Sequence, residues 1–226
     1  MKRMVIVLLL CVVAAASAAS VFAEAFSDRF SEIPYYENSW ESYVLLGDPD
    51  GNYIVQDNRR LSFHLPIQDT TIYMTNPAAA VPDGAAEATF ENILSEGSAY
   101  GLVCRFNEYG WYEFRVNISG EYAGSYALYK YDTYLKKQGK NPYVLLHPNM
   151  DRYYSPDIKT GLNQKNTLKL DCTGDTLRIF INGNEQHPLS VGNIRDSDWD
   201  MGTFGFMVMN TSRNFAQLDI TKFSFE

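Results

Sequence analysis

Residues 98–130 read SAYGLVCRFNEYGWYEFRVNISGEYAGSYALYK and carry the strongest structural signal in the chain. Three short runs rich in aromatic and β-branched residues are separated by Asn-Glu-Tyr-Gly and Ser-Gly-Glu, which are typical of turns. This arrangement predicts three consecutive antiparallel strands, a β-meander at the middle of a sheet.

The alternation within the meander assigns its side chains to two faces, because successive side chains of a strand point to opposite sides. Residues that share the predicted core face are Tyr100, Leu102, Cys104 and Phe106 on the first strand and Tyr112, Phe114, Val116 and Ile118 on the second. The opposite face of the second strand takes Trp111, Glu113, Arg115 and Asn117. The sequence therefore predicts one apolar face and one polar face.

The rest of the chain repeats the pattern of short strands and turns. Before the meander, the sequence predicts a hairpin of residues 52–56 and 60–65, a strand at 70–75, a loop at 76–84 and a half-buried strand around 86–90. After the meander, it predicts a strand at 143–147 within the mostly irregular segment 131–165, a hairpin within 166–183 and two final strands at 203–209 and 216–225. No stretch of 12 or more residues has an apolar period of 3.6. The chain is predicted to be an all-β, antiparallel two-sheet sandwich of about 11–14 strands.

The first 23 residues have the three parts of a secretory signal peptide. Met-Lys-Arg-Met precedes an apolar run from Val5 to Ala16, and small residues continue to Ala23. Cleavage is expected after Ala23, with the Ser17–Ala19 region as the alternative. A membrane anchor is the other interpretation, but the apolar run is shorter than the ~20 residues that a span needs.

Removal of residues 1–23 would leave one domain, residues 24–226, and would change the net charge from −8 to −10 because Lys2 and Arg3 are lost. A surface with this much negative charge repels phosphate backbones, which disfavours nucleic acid as a partner. The remaining length suits a single core.

Several segments together resemble a known superfamily. These are YGLVCRF in the meander, NTLKLDCTGDTLRIFINGN at 166–184, MGTFGFMVMN at 201–210 and LDITKFSFE at the end. They are similar to the secreted bacterial members of the concanavalin A-like lectin/glucanase superfamily, which are laminin G-like jelly rolls related to 3-keto-disaccharide hydrolase-like domains. The resemblance covers most of the chain from about Phe26, apart from the long segment 131–165, and it implies a jelly-roll fold more directly than an activity.

The resemblance also implies a disulfide between Cys104 and Cys172, because the family has cysteines at both places. Each cysteine is in phase with the core-facing residues of its predicted strand, and an exported protein folds where thiols oxidise. Two separate buried thiols are the alternative.

Catalytic signatures are weak. The glucanases of this superfamily carry Glu-x-Asp-x-Glu on one strand, which places acid and nucleophile on one face, and this sequence lacks that triplet. It also lacks Gly-x-Ser-x-Gly, and its three histidines do not have metal-ligand spacing. A glycoside hydrolase of the same fold is therefore the second hypothesis, and a structural or protein-interaction domain is the third.

Carbohydrate binding, or binding of another cell-surface polymer, is the first hypothesis. Sugar rings stack on aromatic side chains while their hydroxyls take fixed polar partners. The polar face of the meander offers this mixture, and the candidate ligand-binding residues are Trp111, Glu113, Arg115, Asn117 and Tyr129. An ordinary solvated face, or one covered by segment 131–165, is the alternative. Tyr143, Tyr153 and Tyr154 of that segment are further stacking candidates or covers of the core edge.

Structural calcium is a further expectation from the resemblance, since many relatives hold an ion at the edge of the sandwich. Asp28 and Asp219 match positions where such relatives are acidic. Carboxylate oxygens are suitable ligands for calcium. Both residues could equally be ordinary turn or edge residues.

Overall fold

The computed structural model describes residues 25–31, 40–57, 59–148, 152–186 and 193–226. The first eight strands are β1 (Phe26–Asp28), β2 (Glu41–Leu46), β3 (Tyr53–Asp57), β4 (Arg60–Leu65), β5 (Thr70–Val81), β6 (Gly84–Leu94), β7 (Ser98–Phe106) and β8 (Gly110–Ser119). After β9 (Ser125–Asp132) comes one short helix, α1 (Thr133–Lys137). The remaining strands are β10 (Tyr143–His147), β11 (Tyr153–Tyr154), β12 (Lys165–Thr173), β13 (Thr176–Ile181), β14 (Asn184–Glu185), β15 (Ile194–Arg195), β16 (Gly202–Asn210) and β17 (Ala216–Phe225).

These strands form two antiparallel sheets that pack face to face. The nine-stranded sheet has the order β14-β13-β12-β6-β17-β4-β3, with β1 beside β17 and β15 beside β13. The eight-stranded sheet has the order β10-β9-β8-β7-β16-β5-β2, with β11 beside β9. The predicted all-β jelly-roll sandwich is confirmed, as is the meander, which forms β7, β8 and β9 at the middle of the eight-stranded sheet.

The core lies between the sheets and is rich in aromatic rings. Phe206 on β16 is fully buried and lies within 6.3 Å, between ring centroids, of five other rings: Phe30, Trp40, Phe63, Phe90 and Phe223. The period-2 alternation of the strands places this apolar set on one side of each sheet.

Two features fasten one end of the sandwich. The predicted disulfide is confirmed: Cys104 on β7 bonds to Cys172 on β12 and so joins the sheets across the core. Beside it, the buried guanidinium of Arg105 donates to the carbonyl oxygens of Pro82, Trp199 and Gly174. One side chain therefore binds the backbone of three separate segments that connect strands.

A β-bulge at Arg105 overturns one predicted position. Thr203 pairs with Phe106 while Gly205 pairs with Val103, so β7 carries an extra residue there, and Arg105 has a φ of 53°. A bulge reverses the alternation that follows it. Phe106 consequently lies on the same face as Val103, not on the core face with Cys104.

The predicted loop at 76–84 is also wrong, because β5 continues as a strand to Val81. A register shift opposite Thr203 and Phe204 leaves Pro77 outside the ladder, and proline is tolerated at such irregularities. The Asn182-Gly183 turn is confirmed, since Ile181 pairs with Asn184 and both turn residues have positive φ.

The predicted signal peptide, 1–23, with its alternative cleavage sites, lies outside the described residues. Within the described ranges, no helix is long and apolar enough to cross a membrane.

Candidate functional site

The predicted site residues lie on the face of the eight-stranded sheet that points away from the nine-stranded sheet, here called the outer face. The strand register aligns Glu113 on β8 with Val103 on β7 and with Tyr129 on β9. Trp111 and Arg115 flank Glu113 at the next outward positions of the same strand. Side-chain contacts, described below, connect these four predicted residues into one group.

The outer face is not the exposed polar surface that the alternation predicts. Seven buried residues form a second apolar cluster on it: Tyr73, Ala99, Val103, Trp111, Tyr131, Met207 and Met209. The physical reason is the size of the side chains, because tyrosine, tryptophan and methionine from neighbouring strands pack against one another across this face. Polar groups on it are therefore shielded from water.

Glu113 is fully buried and lies at the centre of a hydrogen-bonded network. Its Oε1 accepts from Arg115 Nε at 2.7 Å and lies 2.5 Å from Arg115 Nη2. Its Oε2 accepts from Tyr73 Oη at 2.6 Å and from Trp111 Nε1 at 3.4 Å. Tyr143 Oη lies 3.1 Å from Tyr73 Oη. Because both carboxylate oxygens have donors, the Glu113 side chain is held in one orientation.

The network changes the proton affinities of its members. Burial, followed by the negative charge of Glu113, raises the pKa of Tyr73 well above its usual range and also raises the pKa of Tyr143. Burial alone would lower the pKa of Arg115, but the Glu113 carboxylate and the nearby phenols outweigh it and raise that pKa. At neutral pH the guanidinium therefore stays charged and both phenols stay protonated.

Arg115 is the part of the network that reaches solvent. Its side chain is 15% exposed. The guanidinium carbon lies 5.0 Å from the ring centroid of Tyr129 and 4.9 Å from that of Tyr143, and both rings are partly exposed. A planar donor held between two aromatic rings can offer hydrogen bonds and an apolar surface to one ligand.

Trp111 lies deeper than a ligand-stacking residue would. Its ring stacks on Tyr131 with centroids 3.9 Å apart and on Phe106 with centroids 4.5 Å apart. Since these rings come from the strands on either side of β8, the indole is covered and only 3% of the residue is exposed.

Asn117 shares the outer face but not the network. Its Nδ2 donates to Ser125 Oγ at 2.9 Å, which ties β8 to β9 near their connecting turn. It is partly exposed two residues beyond Arg115. The structure thus leaves Asn117 at the margin of the predicted site.

Segment 131–165 covers part of this face, because Tyr131 at its start stacks on Trp111 and Tyr143 packs beside them. Tyr143 on β10 packs against Tyr131 and Tyr129 at the edge of the outer face. Tyr153 packs against the main core, and Tyr154 is 57% exposed. Only one of the three stacking candidates therefore lies next to Arg115.

A cavity of about 310 Å³, which the sequence did not predict, opens beside the network. Its lining residues come from β2, β5, the β7–β8 connection and β16, and they are Glu41, Tyr43, Thr75, Phe106, Asn107, Glu108 and Thr203. Phe106 links it to the network by stacking on Trp111. The alternation of Glu41 and Tyr43 is a strand signal that could have suggested an outward pair, but nothing in the sequence places β2 beside the β7–β8 turn.

Glu113 has no second outward carboxylate on the described central strands of this face, although Glu41 and Glu108 both line the cavity at its edge. The outward positions of the described strands β5, β7, β8, β9 and β16 hold one carboxylate, Glu113. Glu41 is four strands away on β2, or about 19 Å at the usual strand spacing. Retaining and inverting enzymes need separations of about 5–5.5 Å and 6.5–9.5 Å.

Asp28 and Asp219, the predicted calcium ligands, lie on the neighbouring strands β1 and β17. Asp28 lies opposite Phe223 on β17, four residues along the strand from Asp219. Asp28 accepts from Trp40 Nε1, and Asp219 pairs with Arg60 at 2.8 Å. Among the described residues, no group of three or more His, Cys, Asp or Glu side chains is placed to hold a metal ion. Structural calcium stays a prediction, which a melting curve with and without EDTA tests.

No protein-family model matches the chain, and no curated protein has a matching sequence. Solved structures do match. The carbohydrate binding module CBM66 from Bacillus subtilis is 16% identical, with a TM-score of 0.52 over 80% of this chain and 94% of that one. The Emp46p carbohydrate recognition domain in its metal-free form is 11% identical, with a TM-score of 0.56 over 90% and 95%.

A third similar structure is a LamA variant from Z. galactanivorans in complex with laminaritriose and laminaritetraose. It is 10% identical, with a TM-score of 0.60 over 91% of this chain and 99% of that one. Together these likenesses show that the chain has the concanavalin A-like jelly-roll fold.

Proposed function

We propose that this protein is an exported, non-catalytic module that binds carbohydrate on the outer face of its eight-stranded sheet. The observation that carries the proposal is the Arg115 guanidinium, fixed by Glu113 and flanked by the rings of Tyr129 and Tyr143 where the face meets solvent. A sugar needs an aromatic surface for its apolar side and oriented donors for its hydroxyls, and this group supplies both.

The five predicted residues take different roles in this proposal. Arg115 and Tyr129 contact the ligand, with Tyr143 added from β10. Glu113 and Trp111 are positioning residues, because they are buried beneath the contact groups and hold their orientation. Asn117 extends the surface along β8 as a partly exposed amide.

The similar structures support the proposal without deciding it. A carbohydrate binding module, a carbohydrate recognition domain and a glucan-oligosaccharide complex share this fold. One fold can carry many functions, so the residues of the site carry the argument. The missing Glu-x-Asp-x-Glu triplet, and the lack of a second carboxylate beside Glu113 on the described central strands, favour binding over hydrolysis.

Export is part of the proposal. The N-terminal sequence has the three parts of a signal peptide. The Cys104–Cys172 disulfide is typical of proteins that fold in an oxidising compartment.

The test is a glycan and polysaccharide binding screen on the purified protein, with release of reducing sugar read from the same wells. We expect binding without release, and a Tyr129→Ala variant should lose at least about fivefold in affinity, since an aromatic contact with a ligand is worth about 1 kcal/mol or more. Tyr53→Ala is the matched control, because Tyr53 is a half-exposed tyrosine on the other sheet.

Each other outcome has a definite meaning. Release of sugar would replace this proposal with a hydrolase. Binding that Tyr129→Ala and Tyr53→Ala leave equally unchanged would move the site elsewhere on the molecule. An absence of both binding and release would favour a protein-interaction domain.

A further inference from the structure

We propose that the cavity beside the network binds the ammonium group of an amino sugar that carries a free amine. The inference deepens the proposed function and rests on it, because the cavity would be a subsite for the same glycan. The ligand would be a cationic glycan, a chemical class that the network around Arg115 does not select by itself.

The charge of the cavity is the first argument. Glu41 from β2 and Glu108 from the β7–β8 connection both line it, and among the described residues no basic side chain does. Two carboxylates on one small, partly enclosed surface favour a cation and oppose an anion. Uronic acids and sulfated sugars should therefore be excluded, while a protonated amine should be attracted.

The aromatic walls of the cavity are the second, independent argument. Tyr43 and Phe106 line it with ring centroids 5.5 Å apart, and Tyr43 is 42% exposed. The face of an aromatic ring attracts an ammonium group, and combinations of such rings recognise amines in other proteins. Rings alone would accept any sugar, and carboxylates alone would accept any cation, so their combination points to an aminated ring.

The two sides of the cavity are held in place before a ligand arrives. Asn107 Nδ2 donates to the carbonyl oxygens of Arg105 and Met201, and its Oδ1 accepts from the backbone N–H groups of Tyr109 and Gly110. The turn that carries Glu108 is therefore fixed. On the other side, Tyr43 Oη donates to the Glu41 carboxylate. Preorganised groups lose less entropy on binding.

The position and size of the cavity suit one residue of a longer chain. Its volume of about 310 Å³ is at the lower end of the roughly 300–1,000 Å³ range of small-molecule sites. Phe106 lies between the cavity and Trp111, and Trp111 in turn contacts Glu113. An oligosaccharide lying across the outer face would therefore place one ring at the cavity and a ring further along its chain near Arg115.

The experiment compares three hexasaccharides by isothermal titration calorimetry with the purified full protein at about 0.15 M salt, where long-range attraction is screened. They are a glucosamine oligomer, its N-acetylated counterpart and an oligomer of a uronic acid. We expect the glucosamine oligomer to bind about tenfold more tightly than the N-acetylated one, and the uronic acid oligomer to bind least.

Two double variants separate the cavity from general charge attraction. Glu41→Gln with Glu108→Gln should remove the preference for the free amine, so that the glucosamine and N-acetylated oligomers bind the variant with equal affinity. Asp50→Asn with Glu121→Gln removes the same charge from exposed positions outside the cavity and should leave the preference intact. A preference that survives in the first variant, or disappears equally in the second, would overturn the inference.

The remaining outcomes distinguish this inference from the proposed function. Equal affinity for the amine and N-acetylated oligomers would overturn the inference and leave carbohydrate binding standing. A lysine-rich peptide that binds as tightly as the glucosamine oligomer, with the same dependence on Glu41 and Glu108, would reassign the cavity to a protein partner. Failure to bind any oligosaccharide on the full screening panel would overturn both.

Discussion

The two faces of the eight-stranded sheet exclude water by different means. On the inner face, Leu102, Phe114 and Phe206 meet the opposite sheet with hydrocarbon surface alone. On the outer face, Tyr73 and Glu113 are just as inaccessible, but they carry hydroxyl and carboxylate groups that must find partners. The first face relies mainly on contact that has no preferred direction, and the second adds a network of hydrogen bonds that do.

This difference explains why a site is expected on the outer face. Apolar packing tolerates small shifts, whereas a buried ion pair with several donors permits one arrangement. The outer face also changes along its width, from the buried network on β8 to the open cavity beside β2. The predictions below test the inner face, the network, the charged rim of the inner face and the open edge.

The largest effect is expected on the inner face. Phe206→Ala should lower the free energy of unfolding by about 4 kcal/mol, because it removes a fully buried ring that touches three aromatic side chains of the opposite sheet. Urea denaturation of the variant measures this loss. Leu94→Ala, at a half-exposed position, is the control and should cost far less. Equal losses would contradict the assignment of the core.

The network on the outer face should give the next largest effect. Glu113→Gln leaves Arg115 without its counter-charge and should cost about 3 kcal/mol of unfolding free energy. The double variant Glu113→Leu with Arg115→Met replaces the pair with apolar groups and should cost much less than the single change. If the double variant were as unstable as Glu113→Gln, side-chain shape rather than charge balance would determine the stability of this face.

Charged groups also border the inner face, and they predict a dependence on pH. Burial opposes ionisation of Asp196, but hydrogen bonds from Lys130 Nζ at 2.8 Å and Tyr112 Oη at 2.6 Å outweigh it and lower the pKa of that carboxyl. Because the folded-state pKa is lower than the unfolded one, this contribution is present above the unfolded pKa of about 3.9 and is lost as pH falls through the folded pKa.

Asp196→Asn should therefore cost about 2 kcal/mol at pH near 7 and much less in acid. Denaturation at both pH values measures the difference from the unchanged protein. Asp198→Asn is the matched control, since Asp198 contacts the same lysine but its side chain is 60% exposed. A cost of Asp196→Asn that does not change with pH would contradict the charge-based explanation.

The sequence predicts the inner face far better than the outer one. Alternating apolar residues from 98 to 130, the Asn182-Gly183 turn and two cysteines in phase with the core are local signals, and the structure confirms what each predicts for the inner face, except at Phe106. The bulge at Arg105 left no such signal, because positive φ is more common for glycine, asparagine or aspartate than for arginine.

The burial of the outer face does not follow from the sequence, for a different reason. Its polar positions were identified correctly, and Trp111, Glu113, Arg115 and Tyr129 do lie together. The burial of Trp111 and Glu113 depends on Tyr131 of the neighbouring β9 and also on Tyr73 and Met207, which come from strands distant in sequence. The cavity likewise combines residues from β2 and β16, whose neighbourhood follows from sheet order rather than from any motif.

The smallest effect should come from two tyrosines that pair across neighbouring strands. Tyr43 on β2 lies directly opposite Tyr73 on β5, and each donates its hydroxyl to a glutamate. Tyr73→Phe leaves the buried Glu113 without one donor and should cost about 1.5 kcal/mol of unfolding free energy. Tyr43→Phe removes the same kind of bond where water can replace it, so its cost should stay below about 0.5 kcal/mol. Because the two changes delete the same atom from the same residue type, their difference measures how far the outer face opens toward solvent between β5 and β2. Equal costs in urea denaturation would mean that the cavity edge is as closed as the network, and the case for a ligand entering there would fail with it.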